Sequence, residues 1–175
     1  QIGLITNNKM YGMDLGPANI RMARKKGIKA RIGDAEKKFP YKDNFFDGVV
    51  ASGLIEHLFD HHSFLEEVRR VLKPNSYVVI MTNNIAYWPN RILLLLGKSV
   101  LDAQPHKDME DNQHIRFFTT ETLKKLFKRH NFSVEKCFTR YPQIPFLVSL
   151  SRRLCNPYTN AGNLGFIIYL KARKI

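Results

Sequence analysis

The chain has 175 residues, 44% of them hydrophobic and 25% charged, a composition that fits a folded domain and excludes wholesale disorder. Its longest aliphatic run, Ile92 to Leu96, is far short of the ~20 residues that span a bilayer, so no transmembrane helix is expected. Lys and Arg outnumber Asp and Glu by 28 to 15, and the excess of +13 sits mainly in residues 9–38 and 140–175, a distribution that attracts phosphates, nucleic acid or an anionic membrane surface.

The start shows no basic segment followed by an apolar core, and the two cysteines, Cys137 and Cys155, are too few for a disulfide framework or a zinc ribbon. Both points fit reduced thiols in a cytoplasmic protein. From there the chain alternates strand and helix signals, the pattern of an α/β domain with a mostly parallel sheet. Lys9 to Leu15 reads as a short strand containing an acid near its end, and Gly16-Pro17 punctuates it. Ala18 to Lys26 reads as a helix closed by Gly27, and Ala30 to Ile32 as a second strand. Phe45 to Ser52 is a buried strand. His61 to Leu72 is an amphipathic helix with Phe64, Leu65, Val68, Val71 and Leu72 at helical spacing, stopped by Lys73-Pro74-Asn75. Tyr77 to Met81 is a strand, and Pro89 to Leu96 a short helix that closes at Gly97. Residues 98–113 read as a polar loop. Thr119 caps a helix that runs to His130, and Phe132 to Thr139 and Leu164 to Ala172 are the last strands. The stretch 140–163 between them reads as an insertion carrying an apolar piece, Ile144 to Leu150, within a single domain of residues 1–175.

In an open parallel sheet ligands bind outside the carboxyl ends of the strands. Polar groups follow each strand in turn: Asp14; then Gly33-Asp34-Ala35-Glu36; then Ser52-Gly53 and Glu56-His57; then Thr82-Asn83-Asn84. A carboxylate at the first position can accept from both hydroxyls of a ribose, and one at the second from an adenine amine, with small Ala35 leaving room for the base.

Asp14, GDAE at 33–36, FPYKDNFFDGVVAS at 39–52, EH at 56–57, FLEEVRRVLKP at 64–74 and HIRFFTTETLKKLFKRHNF at 114–132 together resemble the class I S-adenosylmethionine-dependent methyltransferases, in particular the small enzymes that modify metabolites, quinones, lipids or sugars. The resemblance implies a Rossmann-like fold with an antiparallel last strand, and S-adenosylmethionine as cofactor. It implies that Asp14, with Leu15 beside it, holds the ribose hydroxyls, and that Asp34 and Ala35 hold the adenine. Ser52, Gly53 and Leu54 would line the methionine end, and Glu56 and His57 would face the transfer site. His57 is of a residue type that titrates near neutral pH, which suits a general base for a hydroxyl or amine. No metal is expected: His57 and His61 are four apart, but neither cysteine nor acid stands at zinc spacing around them.

The chain departs from the family at Pro74-Asn75-Ser76, where Pro-Gly-Gly is usual, and at Asn83-Asn84, where Pro-Asn is common. It also lacks the opening strand with its Gly-x-Gly-x-Gly turn. On this reading Gln1 to Asn8 is the tail of the helix after that turn, the fold is N-terminally incomplete, and the strands ending at Asp14 and Ser52 either flank a gap or collapse together. The expected reaction is methyl transfer to an O, N or C nucleophile of a small or lipid-like molecule. Peripheral membrane contact is compatible with Arg140, Arg152 and Arg153 beside the apolar piece. The alternatives are an RNA methyltransferase, suggested by the charge, and a non-catalytic binding protein on the same fold, suggested by the missing glycine turn.

Overall fold

The computed structural model describes residues 2–6, 9–100, 114–140 and 162–175. Strands β1 (Ile2–Thr6), β2 (Lys9–Asp14), β3 (Lys29–Ile32), β4 (Phe46–Ser52), β5 (Leu72–Asn83), β6 (Phe132–Arg140) and β7 (Ile167–Lys174) form one seven-stranded sheet in the order β3-β2-β1-β4-β5-β7-β6. The β2–β3 and β4–β5 pairs are parallel, and β7 runs antiparallel to both β5 and β6, as expected for the last strand.

The start of the chain corrects the sequence reading. Residues 2–6 are a strand rather than a helix tail, and they fill the slot between β2 and β4, so there is neither gap nor collapse. Ile2, Leu4 and Thr6 are buried and alternate with Gly3 and Ile5, the period of two that a strand imposes. The direction is the departure: β1 is antiparallel to both neighbours. Filling the slot satisfies backbone donors and acceptors of β2 and β4 that would otherwise lie unpaired in the sheet centre. Because of its direction, Ile2 rather than a glycine turn stands level with Met13 and Ala51, near the carboxyl edge.

The helices follow their local chemistry. Helix α1 (Pro17–Lys25) opens on Pro17, whose missing N–H costs nothing in a first turn, and Gly27 takes φ 78° just past its end. Helix α2 (His61–Val71) is capped by Asp60, whose carboxylate accepts from the His62 and Ser63 amides, and it turns Phe64, Leu65, Val68 and Val71 into the core. Helix α4 (Thr120–Arg129) opens with a reciprocal Thr119–Thr122 capping box. After α2 the chain enters β5 at Leu72 directly. Phe46 pairs with Leu72 and Gly48 with Tyr77, so Lys73 to Ser76 form an irregularity in which Asn75 sits at φ 63°, the left-handed conformation that asparagine tolerates in place of glycine.

Helix α3 (Trp88–Leu95) is the exception to inward apolar packing: Trp88, Ile92, Leu94 and Leu95 are all exposed. Among the described residues no helix is long and apolar enough to cross a membrane. The polar loop and the insertion with Ile144 to Leu150 fall largely outside the described residues, as do Cys155, Arg152 and Arg153. Cys137 is described and half-buried; burial pushes its thiol above the ordinary range, which leaves it a poor nucleophile at neutral pH.

Candidate cofactor pocket at the carboxyl edge

The ends of β2, β3 and β4 and the turns that leave them enclose a pocket of about 240 Å³ whose lining includes Ile2, Met13, Asp14, Asp34, Ala35 and His57. Asp14 ends β2 opposite Ile32 of β3, and its carbonyl accepts from the Gly33 amide at 3.2 Å, which ties the two exits together. One carboxylate oxygen of Asp14 accepts from the Gly16 amide at 2.7 Å and from Asn19 at 3.0 Å, so this acid also shapes the entry to α1. A carboxylate has about four acceptor sites, enough for that cap and a diol together.

The 33–36 turn is held from within and from outside. Asp34 accepts from the Glu36 amide at 2.9 Å, Ala35 is buried against the core, and Glu36 accepts from the Asp60 amide at 2.5 Å, joining the turn to the start of α2. Gly33 has a packing reason to be glycine: a Cβ there would lie 2.5 Å from the sulfur of Met13 and 2.7 Å from its Cγ.

Beyond β4 the predicted residues separate. Leu15, Leu54 and His57 line the pocket with Asp14, Asp34 and Ala35, whereas Ser52 and Gly53 stand at the edge outside its lining. Gly53, at φ 58°, makes the turn into a short 3-10 segment, Ile55–His57. Glu56 on that segment is buried beneath the rim, where its carboxylate accepts from Thr82 Oγ1 of β5 at 2.8 Å. Its backbone carbonyl accepts from the Ile115 and Arg116 amides, both at 3.0 Å, which brings His114 against His57 with ring centroids 4.7 Å apart. Sequence reasoning had no access to Ile2, Met13, Leu58 or His114 as neighbours of this site, and it read residues 1–8 as a helix tail.

Residues 3–80 match the family model described as a methyltransferase domain. Over these residues the chain is similar to methyltransferase domains, and it shares the fold of S-adenosylmethionine-dependent methyltransferases. The chain is 30% identical over 144 residues to phthiotriol/phenolphthiotriol dimycocerosates methyltransferase 1 of Mycobacterium ulcerans, covering 74% of this chain and 52% of that protein. It is 26% identical over 110 residues to the mitochondrial ubiquinone biosynthesis O-methyltransferase of Homo sapiens, covering 63% of this chain and 29% of that protein. A SAM-dependent methyltransferase of Thermotoga maritima, described as a possible histamine N-methyltransferase, shares the fold with a TM-score of 0.71 at 22% identity, over 94% of this chain and 72% of its own. The chain thus spans about half the length of the first curated relative and less of the second.

The chain has a second, larger cavity of about 880 Å³ on β2, β3 and the 38–45 loop, lined by Tyr11, Tyr41 and Phe45 and by the cations Arg24, Lys29, Arg31, Lys38 and Lys42. It shares no lining residue with the carboxyl-edge pocket, and size alone does not make it the cofactor site.

His61 and His62 do not join His57. They pack on each other with centroids 4.4 Å apart, and His62 Nδ1 lies 2.8 Å from His130 Nε2 at the end of α4. Burial, reinforced by His62, Arg116 and His130 and opposed by Asp60, holds His61 below the ordinary histidine range. Burial and His62 do the same to His130, with Glu66 opposing. A depressed histidine binds fewer protons folded than unfolded, so its contribution is complete above the ordinary value of about 6.5 and is lost as pH falls below it. The urea midpoint is therefore expected to drop between about pH 7.5 and about pH 5.5, and to drop less in His130→Gln. Equal drops in the two proteins would contradict this assignment.

Proposed function

We propose that this protein transfers a methyl group from S-adenosylmethionine to an O, N or C nucleophile on a small or lipid-like molecule. The supporting observation is the carboxyl-edge pocket, in which acids from the ends of β2 and β3 stand beside buried Ala35 and face His57. In this reading Asp14 takes the ribose hydroxyls and Asp34 the adenine amine over Ala35. Leu54, with Ser52 and Gly53 at the rim, borders the methionine end, and His57 above Glu56 faces the methyl group. The acceptor's lone pair takes the methyl carbon while the carbon–sulfur pair returns to sulfur, turning the sulfonium into a thioether. The sulfonium is itself a good donor, so the protein's main task is alignment and exclusion of water.

The apolar surface of α3 favours an apolar acceptor, and relatives named for a dimycocerosate and for ubiquinone biosynthesis support the same class. The basic aromatic groove favours a second reading, an anionic acceptor such as RNA. Incubation with methyl-labelled S-adenosylmethionine and either a lipid extract or total RNA separates the two. Label is expected in the lipid fraction and is expected to fall ~10-fold or more in Asp34→Ala, through loss of a charge-assisted bond to the cofactor. Label in RNA that declines steeply with salt would move the assignment to the second reading. Absence of label from both fractions would contradict catalysis.

A further inference from the structure

We propose that Glu56, His57 and His114 form a binding site for one divalent transition-metal ion at the methyl-transfer end of the pocket. Among the described residues, these three bring one carboxylate oxygen and two imidazole nitrogens within 4.8 Å of one another. Ligands bound at about 2.0–2.1 Å in a tetrahedral site lie about 3.4 Å apart, so small side-chain rotations close the set around an ion.

The surroundings are those of a built site. Glu56 is 3% exposed, and among the described residues no Lys or Arg pairs with it. A buried carboxylate is costly unless a cation or strong donors compensate it. Its known side-chain partner is the Thr82 hydroxyl, which orients one oxygen from behind as outer partners of metal ligands do. His57 follows Glu56 directly on the 3-10 segment, and His114 is locked beside them by the two amide bonds from residues 115 and 116 to the Glu56 carbonyl. Two imidazoles and one carboxylate suit zinc, cobalt, iron or manganese better than magnesium or calcium, which favour oxygen ligands. Three ligands leave coordination positions for an acceptor, and His57 also lines the pocket.

The ion's chemical role rests on the methyl-transfer reading. An acceptor hydroxyl bound to it loses its proton to solvent at neutral pH, and the resulting oxyanion takes the methyl carbon as the carbon–sulfur electrons go to sulfur. In this arrangement His57 serves as a ligand rather than as the general base that its position suggests. The oxyanion requirement narrows the acceptor from any O, N or C nucleophile to a hydroxyl-bearing one.

The site is tested with cobalt(II) alone, titrated into the full chain without S-adenosylmethionine and read by visible absorption and calorimetry. Wild type is expected to saturate at one equivalent with the spectrum of a mixed nitrogen–oxygen site. His57→Ala and His114→Ala are expected to weaken binding by about 100-fold or more, and Thr82→Val by about 10-fold, the usual effect of an outer partner. Circular dichroism identifies any variant that has lost its fold, and Glu56→Gln, which keeps shape and volume, supplies a further folded comparison. Failure to saturate at one equivalent overturns the proposal. So does binding that survives both histidine substitutions but disappears when His62 and His130 are replaced. Cobalt binding together with no affinity for S-adenosylhomocysteine would leave the site standing and remove the methyl-transfer reading instead.

Discussion

Replacing Leu4 with alanine is expected to lower the unfolding free energy by about 2–5 kcal/mol, as for a fully enclosed leucine in a core that cannot collapse around the loss. Leu4 is 0% exposed and sits mid-strand in β1, opposite Tyr11 of β2 and Val49 of β4. It belongs to the same cluster as Val49, Phe46 and Leu65, so the void would open between the two halves of the sheet rather than at an edge. Urea denaturation measures the effect. Were residues 2–6 a loosely docked segment outside the sheet, Leu4→Ala would cost less than about 0.5 kcal/mol, the range of surface substitutions. The experiment therefore tests the strand that the sequence reading mistook for a helix tail.

The second large effect is expected at Arg70. Its guanidinium makes a two-pronged contact with Glu67 at 2.7 and 2.6 Å, bonds Asp43 at 2.5 Å, and donates to the carbonyls of Tyr41 at 2.9 Å and Phe39 at 3.2 Å. Glu67 in turn accepts from the Phe39 amide at 2.6 Å. One side chain on α2 thus pins the 39–43 segment that follows the Asp34 turn. Burial pushes the Glu67 carboxyl upward, but the bonds from Arg70 and the Phe39 amide outweigh it, so the group rests below the ordinary carboxylate range. Arg70 is raised further above its ordinary value, chiefly by its bonds to Glu67. Arg70→Ala leaves a half-enclosed carboxylate and two carbonyls without their donor, at an expected cost of about 2–4 kcal/mol, between one charge-assisted bond and a buried pair. Arg70→Lys is expected to recover less than half, because an ammonium cannot reproduce the fork. For Glu67, a depressed carboxylate stabilises fully above its ordinary value of 4.5, and that share is lost as pH falls through the lower folded value. Acid unfolding of wild type and Arg70→Ala is expected to converge below that point.

Much of the fold was legible because the relevant signals are local. Gly16-Pro17, Gly27, Lys73-Pro74, Thr119 and Gly97 mark helix ends through turn and cap chemistry, and the structure places α1 to α4 within a residue or two of those marks. That the acids at 14 and 34 share one edge was legible for a related reason: strand order puts whatever follows β2 and β3 there. What was not legible is non-local. Strand alternation in Ile2 to Thr6 carries no direction, so nothing in five residues distinguishes a parallel entry from the antiparallel one adopted. His114 reaches His57 only because the Glu56 carbonyl binds the amides of residues 115 and 116, a pairing between segments far apart in the chain. The register irregularity at Lys73 to Ser76 likewise depends on β4 as partner, although Asn75 was recognisable as its turning point.

The central claim is that the carboxyl-edge pocket, rather than the larger basic groove, receives S-adenosylmethionine. The most direct measurement is an amide-resolved NMR titration of the chain with S-adenosylhomocysteine, which registers even weak binding residue by residue. The account predicts saturable shifts at Asp14 to Gly16, Gly33 to Glu36 and Ser52 to His57, reduced in Asp34→Ala, while Tyr11, Lys29, Arg31 and Lys42 around the groove stay in place. Shifts centred on the groove residues, or a spectrum unchanged at saturating ligand, would contradict it.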